Sequence, residues 1–221
     1  MMKYYLIHNG QEERKNDMLH QCTTYGIPLC DINWIIEPNS IESIPSYITS
    51  IARLTRGTFI CTYKHYLALE DICKNKYELA VVMEDNIYFD TCVPTQIDHY
   101  LSQLPDDWSI LFDSDIQGIQ YDEGPIVPST SVYRKNNSGG SFGGSSKGAN
   151  FYLIKLKTAQ LLYENFLPFT CEIDWHYNYM FQQLDIHSYW VEPPNVHHTC
   201  KKSTSSALYF KRDTTKGRKE S

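Results

Sequence analysis

The chain has 221 residues, 42% of them hydrophobic and 21% charged, which suits a single folded α/β-sized domain and excludes wholesale disorder. A net charge of −6 argues against a nucleic-acid binder held by phosphate neutralisation. No apolar run approaches the ~18 residues of a membrane span.

In chain order, Lys3 to His8 reads as a buried strand closed by the turn signal Asn9-Gly10. Gln11 to Tyr25 then has helical spacing, with Met18, Leu19 and Cys22 on one face, and Gly26-Ile27-Pro28 stops it. Leu29 to Ile36 is a second strand, giving a β-α-β opening typical of parallel α/β sheets. After an irregular or helical link over Ser40 to Ser50, Gly57 to Cys73 is a long helix with Ile60, Tyr63, Leu67 and Leu69 available to the core. Leu79 to Met83 is a fully buried strand that stops abruptly in Glu84-Asp85-Asn86.

Pro94 to Leu104 is helical, and Trp108 to Phe112 is a strand ending in Asp113-Ser114-Asp115. Gln117 to Asn150 is the least regular stretch and holds the Gly/Ser run from Ser138 to Gly148, a mobile-lid candidate or a solvated loop. A strand over Phe151 to Ile154, helices over Thr158 to Asn165 and Ile173 to Leu184, and a strand over Ser188 to Val191 complete the pattern. The expected domain covers residues 1–202, followed by a basic tail over 203–221. Seven cysteines without a Cys-x-x-Cys pair, and an N-terminal apolar run too short for a signal peptide, suggest reduced thiols and a cytoplasmic protein.

Chemistry concentrates at the strand ends, where open α/β sheets bind ligands. Glu84-Asp85-Asn86 and Asp113-Ser114-Asp115 offer oxygen ligands for a hard cation, or hydroxyl contacts. His197-His198, after the stiff Pro193-Pro194 turn, offers imidazole to a borderline cation such as manganese. Asp174 opens a helix and suits either a first-turn carboxylate or a general base. Zincin motifs, Walker loops and the dinucleotide glycine fingerprint are missing.

The ordered set resembles glycosyltransferase family 25, whose relatives include bacterial lipopolysaccharide and collagen galactosyltransferases. The resemblance rests on Leu6-Ile7-His8-Asn9 with Arg14, on Gly57, Cys61 and His65 of a Gly-Glu-x-Gly-Cys-x-x-Ser-His helix, and on Val81-Val82-Met83-Glu84-Asp85-Asn86 for a strand ending Glu-Asp-Asp. Trp108-Ser109-Ile110-Leu111, Ala149-Asn150-Phe151-Tyr152-Leu153-Ile154 and Ile173-Asp174 follow in the family's order. Asn86 and Lys64 depart from it, standing for a carboxylate and a serine.

The resemblance implies a GT-A-like α/β domain with a mixed, mainly parallel sheet flanked by helices. It also implies transfer of a hexose from a nucleotide diphosphate sugar, UDP-sugar favoured, to a hydroxyl of a glycan or glycoprotein acceptor, with inversion. Glu84, Asn86 and His198 would hold Mn2+ or Mg2+. His8, Asn9, Arg14, Lys64, Asp85, Asp113, Asp115 and Lys202 would contact the donor, and Asp174 would be the base. Two alternatives are a binding module that has lost its chemistry, suggested by Asn86, and a metal-dependent phosphodiesterase using Asp113, Asp115 and the histidine pair.

Overall fold

The computed structural model describes residues 2–49, 54–114, 121–125, 131–135 and 148–199, with 49 and 121–125 described as backbone only. Asp115, Lys202, most of the Gly/Ser run and the basic tail lie outside the described residues.

Ten strands appear among them: β1 (Lys3–Ile7), β2 (Ile32–Ile35), β3 (Leu79–Glu84), β4 (Ile87–Phe89), β5 (Ile110–Phe112), β6 (Tyr121–Pro125), β7 (Val132–Lys135), β8 (Phe151–Lys155), β9 (Ser188–Val191) and β10 (Val196–His198). The helices are α1 (Glu12–Thr24), α2 (Ser46–Thr49), α3 (Arg56–Asn75), α4 (Val93–Leu101), α5 (Leu156–Asn165) and α6 (Ile173–Gln183). Eight strands form one sheet in the order β2-β1-β3-β8-β5-β9-β7-β6, and β10 pairs with β4 in a separate two-stranded ribbon. Only β8 and β7 run against the direction of the other six strands, so the sheet is mixed and mostly parallel, as expected of a GT-A-like fold.

Side-chain alternation along the strands divides the core between the two faces of this sheet. Tyr5, Ile7, Val82, Phe112, Tyr152 and Trp190 face α3, α5 and α6. Tyr4, Leu6, Val81, Met83, Leu111 and Leu153 face α1 and α4 through Met18, Cys22, Val93 and Ile97. Because both faces are covered, β1, β3 and β8 read as continuous apolar runs.

The structure corrects several boundaries. Leu29–Asp31 is a 3-10 turn before β2, and β5 starts at Ile110 rather than Trp108. On α3 the buried face is Phe59, Thr62, His65, Ala68, Leu69 and Ile72, while Ile60, Tyr63 and Leu67 are only partly buried. A buried histidine stands where an apolar stripe was expected, because His65 finds a polar partner inside (Tyr152, below). Thr55 caps the start of α3 by accepting from the Thr58 amide at 3.3 Å, and Lys76, at φ 56°, ends it in a left-handed turn.

Candidate active site at the carboxyl end of the central strands

Parallel pairing of β1 with β3 sets Ile7 opposite Glu84. The residues that follow the two strands, His8-Asn9 and Asp85-Asn86, therefore emerge side by side. They line a cleft of about 360 Å³ together with Arg14, Asn39, Arg56, Cys61 and Lys64. Gly10 turns the chain beside it at φ +88°, and a Cβ there would meet the Asn39 amide nitrogen at 3.2 Å.

Asp85 is the hub of this cleft. One carboxylate oxygen accepts from His8 Nδ1 and from the Asn9 amide, both at 2.8 Å, and the other accepts from Arg14 Nη1 at 2.9 Å. A carboxylate only accepts, so the His8 hydrogen resides on Nδ1. Lys64, 2% exposed, donates to the His8 carbonyl at 2.6 Å and to Asn39 Oδ1 at 2.9 Å, and burial lowers its pKa. Five of the predicted donor residues, His8, Asn9, Arg14, Lys64 and Asp85, thus come together around one cleft.

Asn86 meets His198 across the ribbon of β4 and β10, with Nδ2 and Nε2 3.1 Å apart. The Asn86 carbonyl holds Thr199 through its amide and its hydroxyl, at 2.7 and 2.9 Å. The Asn86 Oδ1 is buried without a hydrogen-bond partner among the described residues. An amide oxygen and an imidazole nitrogen are both atoms able to ligate a divalent cation. Glu84 Oε1 faces His65 Nε2 at 3.3 Å and Cys61 Sγ at 3.6 Å, and His198 is near enough to act on its charge.

Asp113 is placed apart from the cleft. It is 1% exposed, and its Oδ1 accepts from the amides of Asn195 and Val196 at 2.8 and 3.2 Å. It anchors the segment that carries His198 instead of facing a sugar. Burial raises its pKa to about 6, against the bonds from those amides and from Tyr100. The folded protein therefore keeps this proton where the unfolded chain has lost it. The stability it contributes is full below about pH 4 and is lost as pH rises through about 6, on the order of 2–3 kcal/mol. Asp113→Asn should flatten that slope, as read from denaturant unfolding at pH 4.5 and 7.5.

Asp174 lies in the first turn of α6 and accepts from the Trp175 amide at 2.9 Å. Burial raises its pKa to about 6, with the charges of Glu172 and of Glu84, at the end of β3, adding to the shift. Several polar residues beside these groups went unread in the sequence. Lys135 on β7 is 2% exposed, donates to Asn178 Oδ1 at 3.0 Å and sits 5.4 Å over the Trp190 ring. Burial drives its pKa down to about 6, opposed by Asp174. Asn150, just before β8, has both side-chain amide atoms buried and unpartnered among the described residues, while its carbonyl accepts from the Glu84 amide at 2.9 Å. Lys135 belongs to the stretch with the least periodicity, so no pattern marked it, and Asn150 was marked only as a position of a family motif.

Among solved structures, the chain is similar to A197 from STIV, with 10% identity, a TM-score of 0.48, and coverage of 90% of this chain and 85% of that one. A glycosyltransferase involved in the glycosylation of the major capsid of PBCV-1 gives 10% identity and a TM-score of 0.47, over 92% and 95% of the two chains. Mouse xyloside xylosyltransferase 1 gives 7% identity and a TM-score of 0.39, over 85% and 84%. No curated protein sequence matches the chain. The profile of glycosyltransferase family 25 (LPS biosynthesis protein) matches residues 1–177, the span that builds the Asp85 cleft and carries Asp174, and the chain belongs to that family.

Proposed function

We propose that the protein transfers a hexose from a nucleotide diphosphate sugar, a UDP-sugar in the favoured reading, to a hydroxyl of a glycan or glycoprotein acceptor, with inversion. The observation that carries this reading is the buried, unpartnered Asn86 Oδ1 beside His198, at the edge of a cleft holding Arg14 and Lys64. Asn86 and His198 would hold Mn2+ or Mg2+, which when bound supplies positive charge to the diphosphate leaving group.

The chain's own groups do the rest. Arg14 and Lys64 bring fixed charge to the diphosphate, and Asp85 keeps Arg14 and His8 in place from behind. Asp174 would accept the proton of the acceptor hydroxyl as that oxygen attacks the anomeric carbon and the bond to the diphosphate breaks. Residues 1–202 form the transferase domain in this reading, with Asp115 and Lys202 as further donor contacts and 203–221 as a basic tail. The protein would act in a reducing, cytoplasmic setting. The free cysteines among the described residues support that setting.

Thermal unfolding with nucleotide diphosphate sugars, with and without Mn2+, tests the reading. A donor at one hundred times its Kd should stabilise the fold by about 2.7 kcal/mol. The shift should need Mn2+ in the wild type, and His198→Ala should abolish the Mn2+ requirement together with most of the shift. A stable protein that no such donor shifts would refute the proposal.

A further inference from the structure

A second group of ligating atoms lies on the floor of the same cleft, apart from the Asn86–His198 pair. Cys61 and His65 are four residues apart on α3, so they share one helix face, and that face meets Glu84 at the end of β3. Cys61 Sγ, the His65 ring nitrogen and a Glu84 oxygen all lie within 4.8 Å of one another. The His65 Nε2 to Glu84 Oε1 separation is 3.3 Å and the Cys61 Sγ to Glu84 Oε1 separation is 3.6 Å. The first is long for a hydrogen bond to a carboxylate, whereas the second suits a thiol donor. A tetrahedron with zinc's bond lengths to sulfur, nitrogen and oxygen has edges of roughly 3.3–3.7 Å, and both separations fall in that range.

The surroundings suit an ion as well. The other ring nitrogen of His65 pairs with the Tyr152 hydroxyl at 3.0 Å, and that hydroxyl pairs with Tyr177 at 2.9 Å. A zinc-bound histidine needs such a partner on its distal nitrogen, to fix the tautomer and aim the ring. His65 is fully buried, whereas Cys61 and Glu84 line the cleft, so a fourth coordination position opens into it. Thiolate and imidazole select a softer cation than the amide oxygen and imidazole of Asn86 and His198.

We propose that Cys61, His65 and Glu84 form a zinc-class site with three protein ligands and one position open to the cleft. It uses neither Asn86 nor His198 as a ligand, and its existence does not depend on which reaction is catalysed. On binding, the Cys61 Sγ–H bond breaks, the proton leaves to solvent, and the sulfur lone pair goes to the metal.

Absorption titration of the full chain with Co2+, a spectroscopic stand-in for zinc, tests this directly. The wild type should develop a thiolate-to-cobalt charge-transfer band together with intense tetrahedral d–d bands, and one equivalent of Zn2+ should erase both. Cys61→Ser, which nearly preserves shape, should lose the charge-transfer band. Asn86→Ala should keep it. Tyr152→Phe, which leaves all three ligands in place, should weaken Zn2+ binding by about 10–100-fold. A wild type without the thiolate band at excess Co2+, or a band that survives in Cys61→Ser, would overturn the proposal.

Discussion

Asp174→Asn should lower kcat by about 10²–10⁴-fold, the range that a positioned general base supplies. The donor Kd should stay within about twofold, because the groups proposed to meet the diphosphate, Arg14 and Lys64, line the cleft from other elements. Asparagine keeps the volume and can still accept from the Trp175 amide, so the first turn of α6 survives. What it cannot do is take the acceptor proton. The wild-type pH profile carries the same signature. Burial, with the charges of Glu172 and Glu84, holds the Asp174 carboxyl near pKa 6. The base form is therefore present above about pH 6, and transfer should fall about tenfold for each unit below it. A transfer assay across pH 5–8, with donor binding measured alongside, checks both points. A fully active Asp174→Asn enzyme would remove this residue from the mechanism.

Asp85→Asn should cost more stability than any other single change at the cleft, about 3–5 kcal/mol. The side chain is 6% exposed and its two oxygens accept from three donors on the β1 turn and α1. Whichever way the new amide is turned, its NH2 faces either Arg14 Nη1 or the pair His8 Nδ1 and Asn9 N. A donor is then set against donors, and the Arg14 charge is left without its counter-ion. For a chain of this length the melting temperature should drop on the order of 10 °C. Donor affinity should fall as well, since Arg14 and the His8 turn lose their anchor. Arg14→Met removes the other partner at a site 22% exposed and should be milder in stability. Denaturant unfolding of the two variants side by side measures the difference.

Elements buried on both sheet faces were legible in the sequence, since β1, β3, β8 and β9 are unbroken apolar runs. So were the helices, whose apolar spacing and stop signals are local. The short strands β4, β6, β7 and β10 were not, because their partners are remote in sequence or, for β6 and β7, lie within the irregular stretch. The strand-end rule picked out Glu84-Asp85-Asn86 and Asp113 alike, yet the two behave differently. Asp85 meets side chains around a cleft, whereas Asp113 is sealed beneath the amides of Asn195 and Val196. Nothing local distinguishes a carboxylate that will meet side chains around a cleft from one that will be sealed under backbone. His65 was visible as a motif position, but its burial against Tyr152 depends on β8 lying beside β3.

The ribbon of β4 and β10 gives the molecule a built-in order of completion. Every member of the Asp85 cluster lies in the first 85 residues, available early as the chain is synthesised from its N-terminus. His198 reaches Asn86 only by closing a loop of 112 residues, and Asp113 waits for amides 82 and 83 residues further on. A polypeptide interrupted before Asn195 would carry the cleft but no imidazole for Asn86, and would bury a carboxylate whose amide donors had never been made. Among the described strands, it is therefore β10, through Val196 and His198, on which both the sealing of Asp113 and the Asn86 pairing wait.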